Sequence, residues 1–180
     1  MNARLRSILL TASVITAAFS AITYTSCSEE KCKAIVCANG SVCSEGACIC
    51  PSGYEGPQCE TVNRERFKGI WNVHEDGSFS NEADYTVTVE NGDGITQLVI
   101  KNFNNFFPLN VKARVKGDTL YIDPQTQSGG QIQGIGYLAE DKFYAENGKL
   151  ILKYEVRSST GVLDNYGFAP GTTNPSIWSK

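Results

Sequence analysis

Seven cysteines fall between Cys27 and Cys59, and the long remainder of the 180-residue chain has none. Covalent cross-links can therefore shape only one end of this molecule. Cys32, Cys37, Cys43, Cys48, Cys50 and Cys59 form a closely spaced set, whereas Cys27 stands apart behind an uncharged stretch. An odd count in a secreted chain leaves one sulfur without an internal partner, and position assigns that role to Cys27. The other six span too few residues to bury a core, so cross-links are expected to hold that segment together. Six cysteines admit fifteen pairings in principle.

The chain opens with Arg4 and Arg6, followed by an uncharged run from Ser7 to Ser26 whose centre, Ile8 to Phe19, is rich in Leu, Ile, Val and Ala. This is a secretory signal pattern over residues 1–26. Hydroxyls at Thr11, Ser13, Thr16, Ser20, Thr23, Thr25 and Ser26 dilute its apolarity, which favours a cleaved leader, with an uncleaved membrane anchor as the alternative. Tyr24-Thr25-Ser26-Cys27 resembles a bacterial lipoprotein box, with Tyr24 where the usual leucine stands. That resemblance implies cleavage before Cys27, a lipid on its sulfur and the membrane as a partner. Ordinary cleavage would instead leave Cys27 as a free thiol or an interchain partner. Residues 27–31 then form a tether, and Ser28-Glu29-Glu30 within it resembles the surface-export tag of Bacteroidetes-type lipoproteins. The implied address is the outer face of the outer membrane.

In residues 32–59 the cysteine intervals are four, five, four, one and eight residues, ending Cys48-Ile49-Cys50-Pro51-Ser52-Gly53-Tyr54-Glu55-Gly56-Pro57-Gln58-Cys59. This resembles an EGF-like module, whose C-x-C step and Gly-aromatic-x-Gly close are its most recognisable part. The resemblance implies bridges Cys32 to Cys43, Cys37 to Cys48 and Cys50 to Cys59. Clustered cysteines bind zinc in reducing compartments, but a secretory start places these where thiols oxidise. The residues ahead of Cys32 and Ser44-Glu45-Gly46-Ala47 lack the acidic and amide pattern of calcium-binding members, so no metal is expected.

Glu60 to Arg66 reads as a polar connector able to form a helical turn, and residues 67–180 are enough for one further core. Strand follows strand there: Ile70 to His74, Tyr85 to Val89, Ile95 to Ile100, Val111 to Val115, Thr119 to Ile122, Ile132 to Leu138, Leu150 to Val156 and Val162 to Phe168. Asn91-Gly92-Asp93-Gly94, Lys116-Gly117-Asp118 and Asn147-Gly148 supply turns, and Pro124 is expected to end the fifth strand. The fold class is mainly β. About eight short antiparallel strands favour a closed barrel, because closure removes sticky edges; a sandwich is the alternative. Gly69-Ile70-Trp71 resembles the G-x-W signature of lipocalins and other calycins, which implies a calycin-like barrel with Trp71 plugging one end.

Chemistry is sparse. His74 is the only histidine and has no G-x-S-x-G or similar motif beside it, so an ordinary strand position is expected. Glu75-Asp76 and Glu140-Asp141 are expected to be solvated at strand ends, not a glycosidase couple. No cofactor is implied and the chain is expected not to be an enzyme. Three aromatics interleaved with amides, Phe103, Asn104, Asn105, Phe106 and Phe107, are candidate contacts for a small molecule, a glycan or an envelope protein at a barrel mouth; the alternative is a cap on the core. Gln125 to Gln133 is expected to form a mobile polar hairpin. Loss of Arg4 and Arg6 leaves 14 of the 16 basic side chains against 19 acidic ones, a net of −5, which argues against nucleic acid as a partner. The expected function is non-enzymatic binding at the cell surface, with an assembly component of the envelope as the rival and a glycan-acting hydrolase as the third reading.

Overall fold

The computed structural model describes residues 31–105, 110–127, 130–139, 148–171 and 174–180. Cys27 and the segment before it lie outside them, as do Phe106, Phe107 and Glu140-Asp141. The chain divides into two compact units, with the boundary between Glu60 and Thr61.

In the first unit the bridges join Cys32 to Cys43, Cys37 to Cys48 and Cys50 to Cys59. Its antiparallel hairpin, β1 (Val42–Ser44) and β2 (Ala47–Ile49), sets Cys43 opposite Cys48, so two bridges leave adjacent strands. β3 (Tyr54–Glu55) follows, between Gly53 and Gly56, whose φ of 94° and 96° suits glycine alone. Val36, Val42 and Ile49 are all more than 60% exposed. The unit has little core, and sulfur does the holding.

The second unit opens with β4 (Thr61–Val62) and a 3-10 turn, η1 (Asn63–Phe67), where a helical turn was expected. Those residues belong to this unit instead of standing between the two. Then come β5 (Gly69–Glu75), β6 (Ala83–Asn91), β7 (Gln97–Lys101), β8 (Val111–Lys116), β9 (Thr119–Gln127), β10 (Gly130–Ala139), β11 (Lys149–Ser158), β12 (Leu163–Tyr166) and β13 (Ser176–Ser179). β5 to β11 pair in sequence, all antiparallel, and β13 pairs with both β11 and β5. The result is a closed eight-stranded barrel, which rules out the sandwich.

The eighth strand is not the expected one. Val162 to Phe168 contributes only β12, which pairs with Glu155 to Arg157 of β11, while β13 takes the same edge at Lys149 to Leu152. Four residues around Trp178 close the ring, and their alternation is too short to announce itself. Pro124 does not end its strand either. β9 continues through a bulge, because Ile122 pairs with Gly134 and Gln125 with Ile132, leaving Asp123 and Pro124 opposite Gln133.

Alternation puts Trp71, Val73, Val87, Val89, Leu98, Ile100, Val111, Val115, Leu120, Ile122, Ile132, Leu150, Leu152, Tyr154 and Trp178 inside. Room for the larger of these comes from β10. A Cβ on Gly134 would lie 2.6 Å from Tyr154 and one on Gly136 2.9 Å from Leu152, their direct cross-strand partners. Among the described residues, no helix is long and apolar enough to cross a membrane.

Candidate functional site

At one end of the barrel Trp71 is fully buried, its indole Nε1 donating to the Phe67 carbonyl at 2.8 Å. Lys180 Nζ lies 4.3 Å from the centre of its ring and donates to the carbonyls of Arg66 (3.1 Å) and Lys68 (2.8 Å). Burial pulls this lysine's pKa down. Gly69, at φ 115°, turns the chain from η1 into β5 so that Trp71 points inward. Trp71 thus packs into the core beside η1.

The other end is polar, and the expected aromatic and amide cluster leads into it. After β7, Asn102, Asn104 and Asn105 adopt φ of 60°, 53° and 44°, a left-handed run that asparagine tolerates better than most residues. This coil turns Phe103 inward, fully buried, with its ring 4.8 Å from Tyr154 and 6.1 Å from Trp178. Phe103 is therefore part of the core cap. Asn105 is exposed and Asn104 half-buried, with its amide directed inward.

Asn104 reaches a cluster that the sequence reading missed. Glu75 was expected to be solvated with Asp76, yet only 4% of it is exposed. It accepts hydrogen bonds from Ser176 Oγ (2.6 Å), Tyr85 Oη (2.7 Å), Tyr154 Oη (2.9 Å) and Asn104 Nδ2 (3.3 Å). Asn104 Nδ2 also lies 2.7 Å from Tyr154 Oη and 3.0 Å from Tyr166 Oη. Trp178 Nε1 donates to Ser176 Oγ at 2.9 Å, and the Tyr154 and Tyr166 rings stack at 4.3 Å. One signal was available: Glu75 is in phase with Trp71 and Val73, the inward positions of β5.

Burial raises the Glu75 pKa above the usual carboxylate range, against the pull of its Ser176, Tyr85 and Tyr154 bonds. Burial and the nearby Glu75 charge push Tyr85 and Tyr154 up as well, and burial takes Tyr166 to about 12. Asp164 behaves oppositely. Burial works to raise it, but donors from Ser80, Phe79 N–H and Tyr166 together hold it below the usual range. With both Glu75 oxygens already engaged by two donors each, the carboxylate has no idle acceptor to offer a substrate proton. It joins β5, β6, β11, β13 and the segment after β7.

His74 points outward on β5, its Nδ1 2.9 Å from Asp84 and its Nε2 3.4 Å from Glu82. The Asp84 hydrogen bond is the main cause of its raised pKa. No three His, Cys, Asp or Glu side chains among the described residues converge as a metal site.

A concavity lies elsewhere among the described residues, on the outer face where β9, β10 and β11 run together. It encloses about 290 Å³ and is lined by Pro124, Thr126, Gln131, Gln133, Glu155 and Arg157 beside Gln125 and Ile132. Much of the glutamine-rich stretch expected to be mobile is thus paired strand. No protein-family model, curated protein or solved structure matches this chain.

Proposed function

We propose that the chain is a lipid-anchored protein of the bacterial outer surface, with an EGF-like spacer and a non-enzymatic, calycin-like barrel that engages its partner from outside. The observation that carries this reading is the filled interior. Trp71, Trp178, Tyr154, Phe67 and Phe103 are each less than 2% exposed and occupy the space a carrier would keep for cargo. The saturated Glu75 carboxylate supports a binding role over hydrolysis, since a general acid or base needs a free position facing the substrate. The cysteine pairing supports the EGF-like reading of residues 32–59.

Two experiments test the parts separately. Palmitate label is expected in the wild type and not in Cys27→Ala; equal labelling refutes the anchor. A fluorescent fatty acid is expected to find no site in the barrel, and saturable uptake would restore the carrier.

A further inference from the structure

We propose that the outer groove on β9, β10 and β11 binds a saccharide carrying a carboxylate; this rests on the reading of the barrel as an outward-facing binding domain. The groove is built by the bulge. Beyond Tyr121 the pairing of β9 with β8 lapses, and the Gln125 side chain takes over, accepting from Lys112 N–H at 3.0 Å and donating to its carbonyl at 2.7 Å. Thus anchored, β9 bends at Pro124, which has no N–H to lose. The bend makes the face concave.

Register then places the lining. Thr126 lies opposite Gln131 and Gln131 opposite Arg157, so a hydroxyl, an amide and a guanidinium form one row across three strands. Two residues along, Gln133 lies opposite Glu155 and donates to it at 2.6 Å, which holds that carboxylate in place. Arg157 has no ion pair among the described residues. The next row on the same face sets Tyr121 opposite Ile135, with Arg114 4.3 Å over the tyrosine ring.

Amide and hydroxyl groups spaced by strand pairing match the hydroxyls of a sugar ring, and the idle guanidinium suits a carboxylate taken by two parallel hydrogen bonds. A peptide is the weaker match. Extended peptides bind sheets by pairing with an open edge, and beside Lys112 that edge is occupied by the Gln125 amide.

The test titrates the full mature chain with tetragalacturonate, maltotetraose and a tetraglutamate peptide by calorimetry, using wild type, Arg157→Gln and Gln131→Ala. Tetragalacturonate is expected to bind, maltotetraose much more weakly, and Arg157→Gln to weaken the uronate about tenfold or more. Gln131→Ala is expected to weaken both sugars, with circular dichroism unchanged in each variant. Absence of uronate binding, indifference to Arg157→Gln, or equal binding of tetraglutamate overturns the proposal. Saturable fatty-acid uptake would instead overturn the outward-facing barrel, so the two failures are distinguishable.

Discussion

The two units solve the same stability problem by opposite means. Residues 32–59 leave Val36, Val42 and Ile49 in water and depend on three bridges, whereas the barrel has no cysteine and buries a continuous cluster from Phe67 to Trp178. A bridge acts chiefly by restricting the unfolded chain, and packing acts by removing apolar surface from water. The barrel consequently has a freedom that the small unit lacks. It can hold an ionisable group inside, because the Glu75 end spends part of a large core on a polar cluster.

The comparison breaks most readily under reduction. Each bridge is expected to contribute ~2 to 5 kcal/mol, so dithiothreitol should unfold residues 32–59 completely. Both tryptophans, Trp71 and Trp178, lie in the barrel, and their fluorescence should stay native. A joint transition would show that the barrel depends on the bridges.

Next in size is Phe103→Ala, expected to destabilise the barrel by ~3 to 5 kcal/mol, as truncating a buried ring does. Chemical denaturation followed by tryptophan fluorescence measures it. A near-neutral result would place Phe103 outside the core and return it to the list of contact residues.

A smaller effect separates two carboxylates within one network. Because the Glu75 pKa is raised in the fold, the native state holds that proton more tightly than the unfolded chain. Its contribution is full below the ordinary 4.5 and is lost as pH rises through the folded pKa. Asp164 is lowered, so its contribution is present above the ordinary 3.8 and is lost as pH falls through the folded pKa. Glu75→Gln should flatten the first slope at a loss of about 1 to 3 kcal/mol in hydrogen bonding, and Asp164→Asn should flatten the second. Denaturation midpoints across the acid range distinguish them; parallel curves would mean that the two act as one group.

The smallest change is expected at His74. Its raised pKa comes from exposed partners, so its contribution is present below the ordinary 6.5 and fades as pH rises through the shifted value. His74→Asn should match the wild type in mildly alkaline buffer and differ slightly in acid. A large loss at either pH would give this histidine a role beyond the surface.

Much of this fold could be read from local patterns. Period-two alternation in Tyr85 to Val89, Val111 to Val115 and Leu150 to Val156 announced strands with one inward face, and the structure fills those faces as expected. The candidate site was half legible: the aromatics and amides around Asn104 stood out in the sequence, but the amide of Asn104 serves Glu75 and two tyrosines instead of facing outward.

The sequence alone determined the division into a cross-linked unit and a strand-built one, because cysteine spacing and alternation are properties of neighbouring residues. Tertiary structure alone decided that β13 closes the ring, that Pro124 bends a strand it was expected to end, and that Glu75 is buried. For β13 and Glu75 the physical reason is separation along the chain, while Pro124 keeps its place in the strand because the bulge against β10 needs no N–H there. Ser176 meets Glu75 across 101 residues, and such pairings depend on barrel closure, which no short window of sequence contains.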